Sequence, residues 1–162
     1  MDLKFKITGF IARPVHDVFE AVADPAILSE YFTTGGAKGR LEAGATVTWD
    51  FHDFPGAFPV EVVEVVPDRK IVLKWEAYEG PPPETGGDIS AEAAAGYQTT
   101  VTMTFEPQGD ERTLVTIAEE GWRETERGLQ GSYGNCQGWA QMLAALKMWV
   151  EHRINLREGM YK

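Results

Sequence analysis

The sequence predicts an α+β fold in which a curved antiparallel sheet wraps around one long C-terminal helix. Three observations carry this expectation. The last third of the chain has the apolar period of a helix. The middle is a series of short alternating strands. The turns between those strands are too short for parallel crossovers. With Trp139 set at zero and a step of 100° per residue, Leu143, Leu146, Val150 and Ile154 fall within about 60°. Met142 and Trp149 widen that stripe, and Gln141, Glu151, His152 and Asn155 take the opposite face. This predicts a helix from Asn135 to Arg157, roughly 34 Å long. Gly138, beside Trp139, is expected to let another backbone come close.

The elements follow in order. Leu3, Phe5, Ile7, Gly9 and Ile11 alternate with Lys4, Lys6 and Thr8, a strand with one buried face. Pro14 suits a first helical turn, and Val15, Val18, Phe19 and Val22 continue it. Asp24-Pro25 ends this helix and opens a second over Ala26 to Phe32. Thr33 to Gly36 reads as a loop. Strands follow at Thr46 to Phe51, Phe58 to Val66, Lys70 to Trp75, Thr99 to Phe105 and Leu114 to Glu119. Pro67-Asp68 and Pro107 to Asp110 mark turns. Two short helices after the first strand, about six further strands and a long helix are expected. The segment Glu79 to Gly96, with three consecutive prolines and an alanine-rich piece, reads as a long loop, either mobile or a lid. No internal repeat or linker divides the chain, so residues 1–162 are expected to form one domain.

Composition narrows the function. The chain has 15 basic and 25 acidic residues, a net charge of −10. That balance argues against nucleic acid and against an anionic membrane surface. No apolar run reaches the length that spans a bilayer, so no membrane insertion is expected. The lone Cys136 excludes an internal disulfide and fits a reducing compartment, and a cytoplasmic location is expected.

The stretch ARPVHDVFEAVADPAILSEYF (Ala12 to Phe32) carries a proline, a Val-Phe pair, an Ala-Asp-Pro and a closing aromatic pair. Gly138-Trp139 leads into LAALKMWVE, and Gly44, Pro67 and Trp75 stand between. In that order and spacing these residues resemble the family of activators of heat-shock-protein ATPase, in the START-like (SRPBCC) superfamily. The resemblance covers nearly the full chain. Tyr31, where a Trp is common, and the Glu79 to Gly96 insertion depart from it. The resemblance implies a helix-grip fold with a cavity for an apolar or amphipathic small molecule between sheet and helix. It implies no particular reaction, and leaves room for a homodimer and for a chaperone partner.

The residues themselves offer no standard catalytic motif: no Walker loop, no GxGxxG after a strand, no HExxH. Gln130 to Gly134 only approaches a nucleophile elbow. His16, His52 and His152 sit on separate elements, and no metal or other cofactor is expected. Cys136 lies near the expected helix start and is expected to be inert. Asp50 and His52 alternate with Trp49 and Phe51 and should face water. Glu119 differs from these. If Val115 and Ile117 face the core, so does Glu119, and a carboxylate there can orient a ligand or act as a base with a raised pKa. Trp49, Trp75, Tyr97, Met103, Phe105, Trp139 and Met142 are the candidate lining, either of a cavity or of a solid core, and Tyr31 with Phe32 is placed to cap one end. The functions in view are small-molecule binding, cyclase- or hydrolase-type chemistry in the same cavity, and a chaperone-directed interaction module.

Overall fold

A computed structural model describes residues 2–52, 54–79 and 94–160. In chain order the elements are β1 (Leu3–Ile11), α1 (Val15–Ala23), α2 (Pro25–Tyr31), β2 (Gly36–Lys38), β3 (Thr46–Phe51), β4 (Phe54–Val66), β5 (Lys70–Tyr78), β6 (Ala94–Pro107), β7 (Thr113–Trp122) and α3 (Glu126–His152). The strands form one sheet of order β1-β7-β6-β5-β4-β3-β2, antiparallel throughout. This is a helix-grip arrangement, with two short helices after the first strand and the long helix last. Register shifts interrupt the β3–β4, β4–β5 and β5–β6 ladders, and such bulges sharpen the bend of a sheet.

Local chemistry sets the ends of the helices. The Asp24 side chain accepts from the Ala26 amide at 2.9 Å and Pro25 takes the first turn of α2. Thr125 caps α3 by accepting from the Gly128 amide at 3.0 Å. Arg153 ends α3 in the left-handed region at φ 58°.

Several boundaries differ from the sequence reading. The second helix is Pro25–Tyr31 rather than Ala26 to Phe32. Gly36–Lys38, partly read as loop, adds a short edge strand beside β3. The long helix begins nine residues before Asn135 and stops at His152, so Ile154 lies beyond it and is exposed. Glycines at 128, 131 and 134 hide its first turns, because glycine is a poor helix former. Close approach occurs at Gly131, where a Cβ would sit 2.5 Å from the Tyr78 carbonyl oxygen; at Gly138 nothing lies within 4 Å. Cys136 is therefore well inside the helix, not at its start. Ala94 to Gly96, read as part of the long irregular segment, belong to β6. Residues 80–93, the rest of that mobile-or-lid segment after Glu79, lie outside the described residues.

The core lies between the concave face of the sheet and the inward face of α3. Trp139, Met142, Leu146 and Val150 are buried in one cluster with Val115 and Ile117 of β7 and Val101, Met103 and Phe105 of β6. Among the described residues no helix is long and apolar enough to cross a membrane.

Candidate functional site

Among the described residues one charged side chain, that of Glu119, is fully buried in this core. Glu119 follows Val115 and Ile117 on the inward face of β7, in cross-strand register with Phe5 on one side and Val101 on the other, with Leu73 next to Val101. It is 0% exposed. An isolated carboxylate is costly in such a place unless hydrogen bonds replace its water. Four side chains do so. The Trp75 indole N–H donates to Oε2 at 2.8 Å and the Thr99 hydroxyl to the same oxygen at 2.7 Å. The Trp139 indole donates to Oε1 at 3.1 Å, and the Asn135 amide spans both oxygens at 2.9 and 3.2 Å.

Each partner is placed by its element. Trp75 and Thr99 are a directly opposed pair on β5 and β6. Asn135 and Trp139 are four residues apart on α3 and so share its inward face. Burial pushes the Glu119 carboxyl above the usual glutamate value, and the bonds from Trp75, Thr99, Asn135 and Trp139 pull it partly back. The two indoles are obligate donors and Asn135 presents its amide nitrogen; only the Thr99 hydroxyl can reverse its bond. The cage is thus complementary to the ionised form, and it fills the roughly four acceptor positions a carboxylate has.

Around Glu119 the aromatic side chains form a box. Trp75 and Trp139 have ring centroids 5.3 Å apart, Trp49 and Trp75 5.8 Å, and Trp49 and Trp139 6.5 Å. Phe32 stacks on Trp139 at 5.6 Å and meets Phe51 edge-on at 5.0 Å. Phe58 joins Phe51 at 5.7 Å and Trp75 at 5.8 Å. These rings touch, so this part of the expected cavity lining is packed ring on ring. Phe51, Phe58 and Trp75 are only half-buried and form the solvent side of the box. The Trp49 indole N–H is buried there with no hydrogen-bond partner among the described residues. The Arg157 guanidinium, from the turn after α3, lies 5.4 Å from the Phe32 centroid and 5.6 Å from that of Phe51, and donates to the Phe32 carbonyl at 2.8 Å.

Of the residues singled out from sequence, the fold brings Trp49, Trp75, Glu119 and Trp139 together. Met103 and Met142 are fully buried in the core, and Phe105 packs edge-on against Phe19 of α1 at 5.5 Å. Tyr31 is buried with its hydroxyl donating to the Ala21 carbonyl at 2.9 Å, a bond that ties α2 to α1. Tyr97 stands apart: its hydroxyl donates to Glu79 at 2.7 Å and Arg123 lies over its ring. Asn135, Thr99, Phe51, Phe58 and Arg157 were not singled out. Asn135 had a readable signal, since it lies 40° from Trp139 on the helical wheel and a polar residue in an apolar stripe needs a buried partner. An open apolar groove of about 280 Å³ lies elsewhere, between β1 and α3, lined by Ile7, Ile11, Ala140 and Leu143 among others. No group of three or more metal-ligating side chains occurs among the described residues.

The model of the family described as "Activator of Hsp90 ATPase homolog 1-like protein" matches residues 12–151. The chain belongs to this AHSA1 family. Its fold is shared by SSP2350 of Staphylococcus saprophyticus, with a TM-score of 0.72, 21% identity and 96% coverage of both chains. DynU16, a protein of the dynemicin biosynthetic locus, aligns with a TM-score of 0.71 at 21% identity over 94% of this chain and 48% of its own. The Aha1 dimer of Colwellia psychrerythraea aligns with a TM-score of 0.65 at 17% identity, over 93% of this chain and 97% of its own. No curated protein matches the chain. At these identities the structural likeness speaks for the AHSA1 fold alone.

Proposed function

We propose that this AHSA1-family domain binds a small molecule between α3 and the sheet, at the aromatic box over Glu119. The observation that carries the reading is Glu119 itself: a fully buried carboxylate with no cation among its described hydrogen-bond partners, in a box whose Trp49 N–H has no partner among the described residues. Core packing alone gains nothing from a charge there, and a hydrophobic residue of similar size is often as stable or more so. A site with a few fixed polar groups among apolar walls is the usual form of a ligand pocket. The ligand would replace ring–ring contacts, entering past Phe51, Phe58 and Trp75. Binding is favoured over cyclase- or hydrolase-type chemistry, because every acceptor position of Glu119 is already used by the protein. The lone cysteine and acidic charge fit action in the cytoplasm.

Native mass spectrometry of the protein purified from its own cells tests this. A bound small molecule is expected, and it should be lost or weakened in Glu119→Gln while the fold is kept. Wild-type protein that is clean of ligand and unresponsive to a metabolite extract would discard the reading. Membership of a family of Hsp90 ATPase activator homologues supports a second reading, contact with a chaperone as a dimer like the Colwellia protein. An ATPase assay with the chaperone decides that, and a flat rate removes it.

A further inference from the structure

Three features of the box specify what kind of ligand it takes. The four donors around Glu119 suit its ionised form, and no ion pair among the described residues joins it. Its acceptor positions are filled by Trp75, Thr99, Asn135 and Trp139, so a ligand that neutralises it has no hydrogen bond to collect there. What a ligand can still collect is charge and the π-faces that it uncovers by replacing ring–ring contacts. The indoles of Trp75 and Trp139 donate their N–H groups to a carboxylate, which makes their faces more electron-rich. The aromatic walls already hold a cation at one edge, the guanidinium of Arg157 beside Phe32 and Phe51, a residue only 7% exposed.

Resting on the ligand-site reading above, we propose that the box binds the fully substituted ammonium head of a small organic cation, and that Arg157 takes part of that place when the ligand is absent. A quaternary ammonium has no N–H to leave unsatisfied against a filled carboxylate, and aromatic faces are its natural recognition surface. An ordinary primary amine would bring three donors to a carboxylate with nothing left to accept them. The net charge of −10 raises the concentration of cations around the whole domain. Arg157 sits in the turn beyond the left-handed end of α3, bonded locally by its amide to Asn155 Oδ1 at 3.0 Å, so it is carried by neither helix nor sheet.

The test compares choline with 3,3-dimethylbutan-1-ol, its neutral isostere, using wild-type protein. Tryptophan fluorescence gives affinity and the five indole N–H signals in a ¹⁵N spectrum give location. Choline should bind at least about tenfold tighter than the isostere, shifting the Trp49, Trp75 and Trp139 signals and not those of Trp122 and Trp149. Arg157→Gln should strengthen choline binding several-fold, and Glu119→Gln should bring the two ligands near parity. Equal binding of both compounds by wild type overturns the cation assignment while leaving the ligand site standing. So does choline binding that moves only Trp122 or Trp149. Failure of choline with both wild type and Arg157→Gln overturns it as well, whatever the mass spectrum shows.

Discussion

Removing the indole N–H of Trp139 while keeping a ring in its place isolates the bond to Glu119. In Trp139→Phe the 3.1 Å hydrogen bond disappears and the carboxylate, 0% exposed, loses one of its four donors. A hydrogen bond to a buried charged group is worth about 1.5–3 kcal/mol, and the smaller ring forfeits about another 1 kcal/mol of burial. The single substitution should therefore cost about 2.5–4 kcal/mol. In a Glu119→Gln background the lost bond joins neutral groups and is worth only about 0.5–1.5 kcal/mol, with the same ring loss. The coupling energy between the two positions should be about 1–1.5 kcal/mol. Urea unfolding at pH 7 followed by far-ultraviolet circular dichroism measures all four proteins without relying on the tryptophan that is changed. Additivity within about 0.3 kcal/mol would refute the reasoning, since it would mean that Glu119 carries no charge or is hydrated. Trp139→Ala separates wall from core differently. Contact with three other rings and 2% exposure place its cost at the full 3–5 kcal/mol of a buried tryptophan. A loss of only about 1–2 kcal/mol would show that the box opens readily.

Because burial raises the Glu119 pKa in the folded state, the unfolded chain gives up this proton first as pH rises. Its contribution to stability is present below the unfolded pKa and is lost as pH climbs through the folded value. Wild type should lose stability relative to Glu119→Gln over that climb, and a difference independent of pH in paired urea titrations would contradict the shift. Gly131→Ala drives a Cβ to 2.5 Å from the Tyr78 carbonyl and 3.0 Å from the Trp122 ring, and should cost about 1–3 kcal/mol or more. Gly138→Ala meets nothing within 4 Å in the same helix and should stabilise by about 0.5–1 kcal/mol. Thermal melts of the pair that move in the same direction would show that the approach of α3 to β5 is misplaced.

The fold was legible because its signals are periodic. A two-residue alternation across β1, β3, β5, β6 and β7 and a 3.6-residue stripe on α3 each report which face is buried, whatever the partner. What failed to show was what periodicity does not encode. Three glycines masked the first turns of α3, although two of them, Gly128 and Gly131, are buried where the backbone of the Arg123 and Tyr78 region crosses the helix. The short β2 has no alternation long enough to count. Arg157 lies in a turn, and nothing in its neighbours says that it folds back onto Phe32.

The site was half legible for a related reason. Glu119 betrayed itself by being a charged residue in a buried phase, which is an anomaly within one strand. Its partners are anomalies only when two elements are read together. Thr99 looks like an ordinary strand threonine until it is known to stand opposite Trp75 and diagonal to Glu119. Asn135 looks like a helix breaker until Trp139, one turn on, is seen to share its partner. A buried acid implies its donors as surely as a helix end implies its cap. The productive question about Glu119 was therefore which polar residues sat in phase with it on facing elements. Answered in full, that question yields Trp75, Thr99, Asn135 and Trp139, and leaves the charge itself as the feature that packing does not explain.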